Sequence, residues 1–126
     1  MLQGLTITKQ QDSPAFSGQF AAMACHCEVL VECNKALLAK QIIETIFIEA
    51  KRIESKFSRY LKSNIVYKIN NSGGVQVRLD DETAHLVDFA SLCYQMSDGL
   101  FDITSGVLRQ LWSFDGSDNI PATAQI

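Results

Sequence analysis

The residues best placed to do chemistry fall in one stretch, "MSDGLFDITSG", from Met96 to Gly106. Ser97, Asp98, Asp102, Thr104 and Ser105 supply hydroxyls and carboxylates, while Leu100, Phe101 and Ile103 are too apolar for an idle loop. Gly99 suits a left-handed helix stop, and Thr104 or Ser105 can cap a new helix carrying Val107, Leu108, Leu111 and Trp112. A helix stop, a short extended crossing at "FDI" and a helix start expose fresh backbone N–H groups, which attract phosphate or other polar ligand groups. The same pattern also fits a plain connection between helices, with the apolar residues as core plugs.

The other candidate groups are weaker. "CHC" at Cys25 to Cys27 invites a metal, yet in a strand His26 faces away from both cysteines. With Cys33 and Cys93 and no C-x-x-C, the four cysteines are expected to be buried, reduced thiols. His26 and His85 have no partner pattern. Asp80, Asp81 and Glu82 stand at a helix start, where capping and the helix dipole account for them, so no metal site is expected among these residues.

The elements that must position these groups follow from periodicity. Residues 1–14 are polar, end at Pro14 and are expected to form a flexible lead-in, followed by an extended "AFSGQF". "MACHCEVLV", Met23 to Val31, reads as a strand, and Asn34 as a helix cap. From Lys35 to Tyr60 there is neither Gly nor Pro, and Leu38, Ile42, Ile46, Ala50, Ile53, Phe57 and Tyr60 recur every three or four residues. That predicts a long amphipathic helix of about 39 Å, with Lys40, Glu44, Lys51, Glu54 and Ser55 on its polar side. Ser63 can cap a short helical turn, Asn70 to Gly74 mark a turn, and "VQVRL", Val75 to Leu79, alternates like a half-exposed strand. Asp80 or Asp81 then caps a helix with Leu86, Phe89, Ala90 and Cys93 on one face. The fold class expected is α+β: a mostly antiparallel sheet packed by the long helix, the Leu86 helix and shorter ones.

At 126 residues, 47% hydrophobic and 20% charged, the chain has the composition of one ordinary globular domain. A net charge of −3 without a Lys/Arg run excludes the electrostatic footprint of a nucleic-acid binder. No stretch approaches the roughly 18 apolar residues of a membrane helix, so no membrane partner is expected. The start has neither a signal peptide nor a lipoprotein cysteine, and a cytoplasmic chain is the expectation.

Three blocks in order resemble the N-terminal half of the ApbE family, the FAD:protein FMN transferases once labelled thiamine-biosynthesis lipoproteins. "FSGQFAAMACHCEVLV" resembles the family's opening, where an Ala-Met-Gly-Thr turn leads into a strand. "SKFSRYLKSNIVYKIN" is similar to its Phe-Ser-x-Tyr block, and "SDGLFDITSGVLRQLWSF" to its Ser-Asp-Gly-x-Phe-Asp-x-Thr block. Together they cover almost everything past Ala15.

The resemblance implies a function. Leu100, Phe101 and Asp102 match positions that line an FAD cleft, and Met23 and Tyr60 match residues that touch the flavin. A Tyr ring can cover a flat isoalloxazine, Met fills the irregular space beside it, and Asp accepts from ribose or adenine donors. The implied reaction is magnesium-dependent transfer of FMN from FAD to a Ser or Thr of an acceptor flavoprotein, releasing AMP; some members hydrolyse FAD to FMN and AMP instead. Tyr60's block is associated with the transferase-like members. Two departures stand out. Ala24 and Cys25 replace the family's Gly-Thr, adding a Cβ at a turn and removing a hydroxyl. The family's magnesium ligands lie late in a longer chain. Residues 15–126 are therefore expected to be the N-terminal FAD-binding part of an ApbE-like domain, truncated, inactive alone and self-associating through the surface left uncovered. The alternatives are a non-catalytic flavin-binding module and an oligomeric scaffold remnant.

Overall fold

The computed structural model describes residues 2–11, 13–110 and 112. It comprises two compact units, Met1–Val77 and Arg78–Ile126. The first is a three-stranded antiparallel sheet with one long helix across a face, and the α+β class follows from it.

Strands β1 (Thr6–Lys9), β2 (Ala15–Ala22) and β3 (Cys25–Glu32) lie in that order, with β2 central. β1 forms inside the polar stretch expected to be a loose lead-in, pairing Ile7 with Gly18 and Lys9 with Phe16. The β2–β3 register sets Phe20 beside Cys27 and Ala21 beside His26, so His26 does face away from its two cysteine neighbours. Cys25 is exposed, and Cys27, Cys33 and Cys93 are half-buried, so the thiols are free but not the buried ones expected. β3 is an edge strand with one backbone edge unpaired in the sheet, and Cys25 opens it next to the turn. Met23 and Ala24 were expected to begin the strand. They form instead a two-residue turn between Ala22 and Cys25, where the resemblance to the family's opening had implied a turn.

Helix α1 (Ala36–Phe57) packs on β2 and β3. Its N-cap is Lys35, without a side-chain cap, rather than Asn34. The buried side is Ala39, Ile43 and Phe47, with Ala50 next in the row. The first half of the predicted stripe is thus one residue out of phase: Leu38, Ile42 and Ile46 remain 45%, 37% and 39% exposed, whereas Ala50, Ile53 and Phe57 farther along it are part-buried. A one-residue step rotates the face by about 100°. Both rows are apolar, and shape chooses between them. Gly18 on β2 leaves a notch that receives Ile43, and small Ala39 lets the helix approach. Phe47 meets Phe20 edge to face at 5.2 Å between ring centres, an arrangement contributing about 0.5–1.5 kcal/mol beyond burial. Phe20, Ala22 and Phe47 form the core, flanked by Leu2, Leu5, Cys27, Val29 and Ala50.

The helix stops where Ser58 turns extended, and a short helix α2 (Ile65–Asn70) follows. Its cap is Asn64, one residue past the Ser63 expected. Gly73 and Gly74 adopt positive φ in the predicted turn. Val75 to Leu79 is not a strand: its alternation is real, but no strand among the described residues pairs with it, and alternation without a ladder leaves the backbone irregular.

In the second unit, Asp80 caps α3 (Asp81–Met96), its Oδ1 accepting from Thr83 N at 3.2 Å. Asp98 and Gly99 take left-handed φ after α3, and Gly99 N donates to Tyr94 O, the stop expected of Gly99. No strand forms at "FDI"; a 3-10 helix spans Ile103–Gln110. Leu111 and the segment from Pro121 lie outside the described residues.

Candidate functional site

A cavity of about 460 Å³ opens in the first unit between the β2–β3 turn and the end of α1. Met23 and Ala24 form one wall. Ile53, Glu54 and Phe57 come from the last turns of α1, and Ser58 and Tyr60 from the chain just beyond. The volume is within the usual range for small-molecule sites, and an apolar wall with few polar groups is their usual chemistry.

The turn is unusual in its residues. Met23 and Ala24 have φ of 54° and 59°, the pair of left-handed conformations that a two-residue type I′ hairpin turn requires. Asn-Gly normally fills it, because a Cβ in this region costs about 1–2 kcal/mol per residue. Ala24 therefore keeps the positive φ that the replacement of Gly put in question. Met23 N donates to Glu54 Oε1 at 2.7 Å, while Lys51 Nζ donates to Glu54 Oε2 at 2.7 Å. The Lys51 bond first, and then the Met23 amide, hold the Glu54 carboxyl below the usual carboxylate range.

The opposite wall is fixed by Asn64. Its Nδ2 donates to Ser58 O at 2.6 Å and Ser55 O at 3.1 Å, and its Oδ1 accepts from Tyr67 N at 3.0 Å. One side chain thus closes the end of α1 and starts α2, setting the loop that carries Tyr60. Tyr60 is 68% exposed, and Arg59 sits against it, with its guanidinium carbon 4.9 Å from the ring centre and Nη2 donating to the phenol oxygen at 2.7 Å. A ring steadied in this way presents a flat apolar surface at the cavity.

The structure brings Met23 and Tyr60 together. Leu100, Phe101 and Asp102 belong to the second unit. Leu100 is 92% exposed and Phe101 about half exposed. Asp102 Oδ1 accepts from both the N and Oγ1 of Thr104 at 2.7 Å, so Asp102 starts the 3-10 helix that Thr104 or Ser105 was expected to cap. Those two bonds, the side-chain one first, lower its pKa and favour the carboxylate.

Sequence reasoning did not single out Ile53, Phe57 and Ser58 as cavity residues, and it placed Glu54 on the polar side of the helix. The signal for Glu54 lay in the row Ala39, Ile43, Phe47, Ala50, Glu54, which continues the sheet-facing side at steps of four, four, three and four.

The model of the ApbE family matches residues 23–126. The chain belongs to the ApbE family. Neither a curated protein nor a solved structure matches it. Membership points to a flavin-related function for the chain. Among the described residues no three His, Cys, Asp or Glu side chains gather as metal ligands. No helix among the described residues is long and apolar enough to cross a membrane.

Proposed function

We propose that this ApbE-family chain binds FAD, with the isoalloxazine in the cavity between Met23 and Tyr60, and serves FMN transfer to a Ser or Thr of an acceptor protein. The observation that carries this reading is the juxtaposition of Met23 and Tyr60, 37 positions apart, across one cavity. Leu100, Phe101 and Asp102 are proposed as further FAD contacts on the strength of their motif alone, with the ionised Asp102 as an acceptor for sugar or base donors.

In the transfer, the acceptor hydroxyl oxygen bonds to the FMN-side phosphorus and the bond to the AMP oxygen breaks. AMP leaves carrying that oxygen, and the hydroxyl proton passes to solvent. The residues named above supply binding and orientation: Tyr60 covers the ring, Met23 and Phe57 exclude water from it. The exposed row Leu38, Ile42 and Ile46 supports self-association as the chain's assembly, since a contiguous apolar row of this kind favours a partner surface.

Incubation of the chain with FAD, magnesium and a Ser/Thr-containing acceptor, followed by chromatography for AMP and mass measurement of the acceptor, tests the reaction. AMP appearing in step with an FMN adduct supports transfer. AMP and free FMN without an adduct would make the chain a hydrolase, and bound FAD that stays intact would fit an FAD-binding part inactive by itself or a non-catalytic binding module.

A further inference from the structure

We propose that Glu54 is a positioning residue for the cavity, clamping the strained Met23–Ala24 turn in the shape that receives a flavin. The role in binding rests on the flavin reading of the cavity.

Both turn residues carry a Cβ and both sit at left-handed φ. A hairpin without Gly at these positions has a standing tendency to relax toward another turn, which would move Met23 and open one wall. The two turn amides also lie outside the strand ladder, whose last pair is Ala22 with Cys25. A carboxylate meets one of them. Glu54 Oε1 accepts from Met23 N at 2.7 Å, across 31 residues of sequence. Charge-assisted bonds to a backbone amide are shorter and roughly twice as strong as neutral ones.

The carboxylate is itself held. Lys51, one turn earlier on α1, bonds the second oxygen, and the pair is only partly exposed, with Lys51 at 44% and Glu54 at 29%. Ile43 and Phe47 anchor the same helix on the sheet, so Glu54 acts from a rigid element. The link thereby joins the turn wall to the helix wall that also supplies Ile53 and Phe57. Ala24 enters the argument by its side chain: where Gly would hold the turn at little cost, Ala needs an external tie.

The test uses the full chain, with hydrogen exchange of the Met23 amide by NMR and FAD affinity by fluorescence as separate readouts. Four variants are compared: Glu54→Ala, Glu54→Gln, Ala24→Gly and Glu54→Ala with Ala24→Gly. Circular dichroism reports that each is folded, and Glu54→Gln, nearly isosteric and still an acceptor, covers the case in which Glu54→Ala is not. The expected results for Glu54→Ala are about tenfold faster Met23 exchange and an FAD Kd raised about tenfold, the loss of one charge-assisted bond. Glu54→Gln should lie between wild type and Glu54→Ala. Adding Ala24→Gly to Glu54→Ala should recover most of the affinity without restoring Met23 protection, a pattern that general loss of structure would not give. Unchanged Met23 exchange in Glu54→Ala overturns the clamp. Faster exchange with wild-type FAD affinity overturns the positioning role alone. A wild-type chain that takes up no FAD overturns the flavin reading and with it the role in binding, while Met23 exchange still reports whether Glu54 holds the turn.

Discussion

Gly18→Ala is the sharpest probe of how α1 sits on the sheet. A Cβ at Gly18 would collide with Ile43 Cγ2 and come within 3.3 Å of Ile43 Cβ and Cγ1. Ile43 is fully buried, so its side chain cannot swing into solvent, and the conflict must be relieved by moving helix or strand. Overpacking of this kind costs about 1–3 kcal/mol. The gain from replacing Gly in a strand offsets about 0.5–1 kcal/mol of that. The net loss should be up to about 2.5 kcal/mol, which for a folding unit of this size lowers the melting temperature by up to roughly 20 °C. Urea unfolding followed by circular dichroism measures the change, with an unaltered m-value showing that the unfolded state is unaffected. The control is Ile43→Ala, which removes both γ carbons and by itself should cost about 2–5 kcal/mol. On that background Gly18→Ala should become neutral or stabilising, because its methyl then fills part of the vacated space. If Gly18→Ala has the same destabilising effect in both backgrounds, Ile43 does not occupy the Gly18 notch and the phase assigned to α1 is wrong.

Other perturbations report on other parts of the structure. Asn64→Ala removes a helix cap and two carbonyl partners at once, and should cost about 2–4 kcal/mol in urea unfolding; Asn64→Asp, which keeps the cap oxygen but sets a buried carboxylate oxygen against the Ser55 and Ser58 carbonyls, should cost at least as much. Glu28 accepts from Ser17 Oγ at 2.6 Å and Gln19 Nε2 at 3.3 Å, and these bonds, Ser17's first, lower its pKa as Lys51 and the Met23 amide lower that of Glu54. A pKa lower in the folded state contributes stability that is present above the unfolded value, near 4.3, and is lost as pH falls through the folded one. Glu28→Gln and Glu54→Gln should therefore each flatten the acid limb of the stability curve below about pH 4.3, and a limb as steep as wild type would remove those carboxylates from its cause. Ile42→Glu on the exposed row of α1 should shift the chain toward monomer in light scattering, and a monomeric wild type would contradict self-association.

Much of this architecture was legible in the residues because local rules and tertiary demands agreed. The long Gly- and Pro-free run gave α1, Asp80 gave the start of α3, and Gly99 its stop. The errors fell where two local solutions were equally good and distant partners chose. Leu38, Ile42 and Ile46 repeat as well as Ala39, Ile43 and Phe47, and it took Gly18 and Phe20 on another strand to select the second row. "VQVRL" alternates as a strand should, but pairing is a property of two segments, and its own pattern could not supply the other. Met23 and Ala24 look like strand residues by type, since their left-handed conformation depends on the hairpin register. Of the residues that line the cavity, Met23 and Tyr60 were singled out through motif resemblance. Glu54 was hidden because a charge on a long helix ordinarily means solvent, and its partner is a backbone amide 31 residues away that no side-chain pattern marks.

The most direct measurement of the central claim is a fluorescence titration of FAD with the wild-type chain and with Tyr60→Ala. The account predicts saturable binding by the wild type, and an affinity at least about tenfold weaker once the ring covering the flavin is removed, as expected for a buried aromatic contact at the centre of a site. Equal binding by the two proteins, or none by the wild type, would contradict the assignment of the flavin to the Met23–Tyr60 cavity.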